Sequence, residues 1–376
     1  MLTIIAAEKI FSPITNLFFI GGKTMKRSSI FSLIVILSFL FTGPAMPTAV
    51  SADSAQTYTV LVGAENLSRA SGVMAYFPAT LQIHVGDTVL WQQNTHEIHT
   101  VTFLAPNTDP PALLLPAPAP FPPGSLMLNP QAAFPTIPPG GIYDGTYANS
   151  GVMSTDPGQP TQFSLTFPTA GTFTYLCLVH GVMMSGTVVV EDPSVSIPSP
   201  AAVSDQAQKD MNLQLARANA LFGEAMSQVP APQHNPDGTT NYTVLIGWSQ
   251  GQYDLMDFFP GKLVVHPGDT VNFMLSSTND APHTVTFLNG ADDIPFIIPI
   301  APPFPPILLI NPDVLNPINP GQPLTRTGIY SSGLLNPIGP GPKSYTLTIG
   351  DISGDVPYEC LLHDTSGMEG LLKVVP

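Results

Sequence analysis

Short runs in which apolar and polar residues alternate recur along this chain. Residues 58–62, 80–85 and 88–92 come first, with Gly86-Asp87 as a tight turn between the last two. Residues 100–104, 162–167, 171–177 and 186–191 continue the series. A period of two places one face of each run in a core and the other toward water. Val, Thr, Ile, Phe and Tyr fill the runs and suit a pleated, half-buried surface, while Gly and Pro bound them. Seven or so such runs predict an all-β Greek-key sandwich.

The series then repeats from residue 242 to residue 375. Thr57-Tyr-Thr-Val-Leu-Val-Gly63 matches Asn241-Tyr-Thr-Val-Leu-Ile-Gly247, and Val85-Gly-Asp-Thr-Val89 matches Pro267-Gly-Asp-Thr-Val271. His99-Thr-Val-Thr-Phe-Leu104 matches His283-Thr-Val-Thr-Phe-Leu288, and Tyr175-Leu-Cys-Leu-Val-His180 matches Tyr358-Glu-Cys-Leu-Leu-His363. The offset is nearly constant, so two copies of one domain are expected. We place an N-terminal extension over 1–52, the first sandwich over 53–192, a linker over 193–240 and the second sandwich over 241–376.

Two features interrupt the strand pattern. Each copy carries a long Pro-rich insertion, 105–140 and 289–322, that shares a Phe-Pro-Pro core. Such density of proline argues against helix and central strand, so an ordered loop packed on its own domain is expected, with a solvated Pro-rich flap as the alternative. Within the linker, residues 204–228 read as a helix with Ser204 as N-cap. Met211, Leu215, Ala218 and Phe222 fall on one face, which suits a spacer helix docked between domains.

Composition narrows the function. Proline numbers 43, glycine 31, and charged residues only 10%. Met25-Lys-Arg27 followed by an apolar run over 30–41 and small residues at Val50-Ser-Ala52 reads as a secretory leader. Residues 1–24 then stand upstream of the true start; a retained anchor helix is the alternative. Without Lys9, Lys23, Lys26, Arg27 and Glu8, the remaining chain carries a net charge of −18. Such a surface repels nucleic acid and anionic lipid and favours a basic partner. Export to the periplasm, cell surface or medium is expected, with no stable membrane insertion once the leader is cleaved.

An exported protein with two cysteines would ordinarily pair them. Here the surroundings of Cys177 and Cys360 suggest another use. Cys360, His363 and Met368 form Cys-x2-His-x4-Met, and Cys177 and His180 are followed by Met183 and Met184. Each Cys ends an apolar run and each Met precedes another, so the set lies on one loop between adjacent strands. His99 and His283, each opening a Thr-Val-Thr-Phe run, supply a further imidazole. One thiolate, two imidazoles and a weak thioether suit a copper ion that changes oxidation state without rearrangement.

These motifs resemble the plastocyanin/azurin family of cupredoxins over 57–191 and 241–375. The loop from Cys360 to Met368 has the plastocyanin spacing, and Met368-Glu-Gly370 repeats the family's Met-x-Gly ending. The resemblance implies two tandem cupredoxin sandwiches and two type 1 copper ions per chain. The ligands would be His99, Cys177, His180 and Met184 in the first copy and His283, Cys360, His363 and Met368 in the second. Aligning Gly186 with Gly370 selects Met184; Met183 would give a shorter, amicyanin-like loop. Thr100 and Thr284 stand where the family often has an Asn that ties the two ligand loops together. The resemblance further implies single-electron transfer with a redox protein partner, through the exposed edges of His180 and His363.

Copper storage or delivery is the alternative, and a two-domain oxidase or nitrite-reductase-like enzyme a further one. Those enzymes use His-x-His pairs or a His directly before the Cys. Here Leu176 and Glu359 hold that place, and no His-x-His occurs. His84 and His266 read as exposed strand ends and His234 as a solvated linker residue. His96 could border the first site or bind a second metal, but the second copy has Asp280 there, which favours a role outside the site. Met74 and Met256 are repeat-equivalent and read as core, with a thioether copper-delivery site as the alternative.

Overall fold

A computed structural model describes residues 54–155, 158–303, 305–339 and 341–376. The leader expected over 1–52 lies outside the described residues. Each repeat forms a sandwich, as the alternation requires. In the first, Leu81, Ile83, Val89, Trp91, Phe103, Phe163, Phe167 and Tyr175 are buried, and along 80–84, 88–92 and 162–166 the intervening residues are half-buried or exposed. Trp91 is the hub: its ring lies 5.3 Å from Tyr175, 5.7 Å from Phe103 and 5.9 Å from Phe163. In the second, Phe273 holds the matching place, 5.2 Å from Tyr358 and 6.2 Å from Phe287.

One pair of strands has no counterpart in the alternation pattern. Ser71–Phe77 and Tyr253–Phe259 are almost continuously buried. They pair antiparallel with each other, Tyr253 opposite Val73 and Leu255 opposite Ser71, and so join the two halves into a single ten-stranded sheet. Burial on both faces removes the polar positions that create a period of two. The junction is reciprocal: Met74 N–H donates to Gln252 O, and the repeat-equivalent Met256 N–H donates to Ala70 O. The methyl groups of Met74 and Met256 meet above Gly72, where a Cβ would lie 2.8 and 3.1 Å from them. Both methionines are thus packing residues of the junction.

The Pro-rich insertions depart from expectation. Each contains a short hairpin, Leu114–Pro116 with Leu126–Leu128, and Ile297–Ile300 with Ile307–Ile310. The hairpins pair with each other, Leu309 opposite Met127, to make a four-stranded sheet spanning both halves. Helical turns Pro130–Ala133 and Pro312–Leu315 follow, capped by Asn129 and Asn311. Proline is tolerated because it sits at helix N1 or on the outer strands of this sheet, where no N–H is required.

The linker helix spans Pro200–Ser227, beginning four residues before the expected start, with Ser199 as cap and Pro200 at its first position. Met211 and Ala218 pack on Ala64, Val73 and Phe77 of the first repeat. Ala225, with Phe222, packs on Leu245, Trp248 and Phe259 of the second. The helix therefore lies across the joined sheet and touches both halves. Among the described residues, no helix is long and apolar enough to cross a membrane.

Candidate metal centres

The strand order in each sandwich carries its cysteine to the end of a buried strand. Cys177 closes Gly171–Cys177, and the next strand, Gly181–Glu191, pairs back with a register break at that point. The extra residues of the break are Val182, Met183 and Met184. Met184 is fully buried, whereas Met183 is 56% exposed and Val182 75%. Burial thus turns Met184 inward with the cysteine and Met183 outward. In the second repeat Met368 is fully buried, and its carbonyl accepts from Cys360 N–H at 3.1 Å.

His99 and His283 are fixed from outside the loop. His99 exchanges backbone hydrogen bonds with Met153, and His283 with Leu335. The following threonine ties the two ligand segments together. Thr100 N–H points at Cys177 Sγ at 3.4 Å, and its hydroxyl accepts from Leu178 N–H at 2.8 Å. Thr284 repeats both contacts with Cys360 and Leu361 at the same distances. A threonine thus makes the tie for which the family often uses asparagine.

These constraints gather three donor atoms in each repeat. Around Cys177 Sγ, His180 Nδ1 lies at 3.5 Å and His99 Nδ1 at 3.9 Å, with the two nitrogens 3.2 Å apart. Around Cys360 Sγ, His363 Nδ1 lies at 3.4 Å and His283 Nδ1 at 3.8 Å, with the nitrogens 3.1 Å apart. Each triangle has a centre about 2 Å from all three atoms, the length of a transition-metal bond to nitrogen or thiolate. Both cysteines are free thiols in separate sandwiches, so the pair does not form a disulfide.

The electrostatics suit a cation. Burial holds both His99 and His283 well below the usual imidazole range, with the neighbouring imidazole adding to the effect. Burial lowers His180 to about 4 and His363 to about 3. All four imidazoles are therefore neutral at pH 7, the form that ligates a metal. Burial pushes the Cys177 thiol up and the Cys360 thiol up to about 11. Without a cation the thiols stay protonated; a metal ion among these atoms would displace that proton.

Several residues that position the ligands were not singled out in the sequence. Gly63 and Gly247 end the repeated motif inside strands Thr57–Asn66 and Thr240–Gln250, at a register break, with φ of +71° and +64°. A Cβ there would stand 2.8 Å from His99 Nε2 and 2.5 Å from His283 Nε2, so these glycines make room for the inner imidazoles. Their signal was the Gly that ends both copies of the motif. Asn279 holds His283: its Nδ2 donates to Ala281 O, which turns its Oδ1 toward His283 Nε2 at 3.0 Å. That bond places the imidazole proton on Nε2 and frees Nδ1 toward Cys360. The first repeat has Thr95 at this position, and His99 Nε2 is buried without a hydrogen-bond partner.

The outer histidines differ from expectation. His180 is partly exposed beside Val182 and Met183, but His363 is only 5% exposed. The cause is a length difference between repeats. The first has the turn Leu67–Arg69 before Ser71–Phe77, and Leu67 O lies 2.6 Å from where a Cβ of Gly367 would be, so this turn covers the second ligand loop. The second repeat has only Gly251-Gln252 in that place, which leaves the first loop open. The other histidines lie apart: His96 pairs with Glu65 at 2.7 Å, and His84, itself half-buried, meets Val195 O at 2.8 Å. His234 contacts Thr240 Oγ1 and His266 lies beside Asp269.

Residues 64–191 match a family model described as copper binding proteins, plastocyanin/azurin family. Among solved structures, the chain is similar to amicyanin from Paracoccus versutus (Thiobacillus versutus), at 18% identity over 39% of this chain and 86% of that one, with a TM-score of 0.21. A reduced Cu(I) form of an amicyanin mutant gives 25% identity over 38% of this chain and 88% of that one, TM-score 0.21. An oxidized and reduced pair for a mutant fern plastocyanin gives 19% over 35% and 99%, TM-score 0.21. The family match places a cupredoxin fold over the first sandwich. The family match covers the first repeat, and the second reproduces its donor set atom for atom, so the two His-Cys-His groups fit two copper ions per chain.

Proposed function

We propose that the chain is an exported electron-transfer protein with one type 1 copper in each of two modules, 53–192 and 241–376, joined by the helical linker. The observation that carries this reading is the pair of buried triangles, each with one thiol and two neutral imidazoles already at bonding separation. His99, Cys177, His180 and Met184 would hold one ion and His283, Cys360, His363 and Met368 the other. Copper would supply a one-electron couple with little reorganisation, because the ligands need not move to receive it. The sandwich contributes rigidity, keeps water out, and through Thr100 and Thr284 directs a backbone N–H at each sulfur.

The two modules then have different tasks. His180 beside exposed Val182 and Met183 supports the first module as the port for an external redox protein. Near Cys360, Glu359 is raised to about 7 by burial and by Asp293, Asp364 and Glu369. This acidic cluster, with the negative chain, supports a basic partner. Storage or delivery is less well supported, since His99, Cys177, His283, Cys360 and His363 are all buried and only His180 reaches the surface. For an oxidase, no third group of His, Cys, Asp or Glu donors gathers among the described residues.

The copper-loaded protein should contain two ions per chain, with an intense thiolate-to-copper band and small hyperfine splitting. Cys360→Ser should remove one of two overlapping signals and leave the other. Loss of both signals in that variant would show that the centres are not independent.

A further inference from the structure

One carboxylate lies between the two centres. His180 Nε2 lies 3.9 Å from Glu97 Oε1, and His363 Nε2 lies 3.7 Å from Glu97 Oε2. Each imidazole turns Nδ1 toward its own cysteine, so each presents Nε2 to a different oxygen of the same group. With Nδ1 committed to a metal, Nε2 carries the proton, and both N–H groups face the carboxylate. Glu97 is 11% exposed in its side chain, so the carboxylate and the two N–H groups interact with little screening by solvent.

The turn that carries Glu97 is held on every side. Gln93 Nε2 donates to Glu97 O at 2.7 Å and Thr95 Oγ1 at 3.1 Å. Glu65 accepts from His96 N–H at 3.0 Å, and Ser154 Oγ donates to His96 O at 2.8 Å. The repeats are asymmetric here. The first reads His96-Glu97-Ile98-His99 and the second Asp280-Ala281-Pro282-His283, so Ala281 stands where Glu97 would recur. The halves meet in a reciprocal junction, and one carboxylate there serves both outer imidazoles.

We propose that Glu97 is a bridging residue that joins the outer imidazoles of both centres into one intramolecular electron path, so that the chain works as a two-centre relay. This rests on the copper reading above. An electron received through His180 passes along imidazole, carboxylate and imidazole to the second centre, which has little surface of its own. The electron lost by the first centre is the one gained by the second. No bond breaks, and no proton leaves Glu97 or either imidazole. The negative carboxylate beside both centres also favours the more positive, oxidised state of each.

The test uses the full copper-loaded chain and Glu97→Gln, which keeps the size but loses the charge and one acceptor. Pulsed electron paramagnetic resonance of the two Cu(II) ions serves as control, with an unchanged distance showing that the halves still dock. In Glu97→Gln both midpoint potentials should rise together, and intramolecular transfer after pulse reduction should slow at least tenfold. Glu97→Asp, which keeps the charge but shortens the reach, should slow transfer with smaller changes in potential. Two intact blue centres with an unchanged rate, or with only one potential moved, would overturn the bridge and leave the copper reading standing. Failure of the wild type to form two blue centres would overturn both.

Discussion

A single hydrogen bond separates the two sites at the residue scale. Asn279 orients His283, while Thr95 leaves His99 Nε2 without a partner. Partners of this kind fix the tautomer and raise ligand basicity, and their loss costs about 10–100-fold in metal affinity. Asn279→Ala should therefore weaken copper at the second site by that factor in a competition titration and leave the first unchanged. A second residue of this kind is Asp254, whose carboxyl is raised to about 7 by burial and by Asp280 beside it. A folded-state value above the unfolded one contributes stability at low pH that is lost as pH rises through 7. Asp254→Asn should thus gain stability relative to the parent between pH 4 and pH 8, on the order of a few kcal/mol, in urea denaturation. The His and Cys donors that gather in each triangle were legible because Cys-x2-His, with a His-Thr-Val-Thr-Phe run upstream, occurs twice. Asn279 and Glu97 were not, and Gly63 and Gly247 showed only as the glycine that ends both copies of a repeated motif. They act by orientation across turns, and nothing in their spacing marks which side chain they will meet.

At the scale of elements, alternation exposed the sandwich strands because each has one wet face. Ser71–Phe77 and Tyr253–Phe259 escaped for the opposite reason, since the sheet, its partner and the linker helix enclose them. The insertions escaped because their hairpins form a sheet only by pairing with each other, with the prolines on its outer strands, where no N–H is required. The junction has a consequence for dynamics. Met74 and Met256 amides donate across it in the middle of the ten-stranded sheet, where opening requires the halves to part. Their hydrogen exchange should be among the slowest in the chain, close to the global unfolding limit. Exchange as fast as at the outer strand Ser344–Thr348 would mean that the halves separate readily in solution.

At the scale of the described molecule, the two sandwiches are alike but unequal. The turn at Leu67–Arg69, present in one copy, buries the ligand loop of the other, and the shorter Gly251-Gln252 leaves the first loop open. Equal motifs gave no hint of this, because the sequence pattern describes each copy in isolation and the covering contact crosses between them. Hence His363, expected at the surface like His180, lies inside. All of these consequences depend on a metal ion in each triangle. Anomalous diffraction at the copper edge from crystals of the loaded chain tests that most directly. Two peaks are expected, one among His99, Cys177 and His180 and the other among His283, Cys360 and His363. A single peak, or density located away from both sulfurs, would contradict the account.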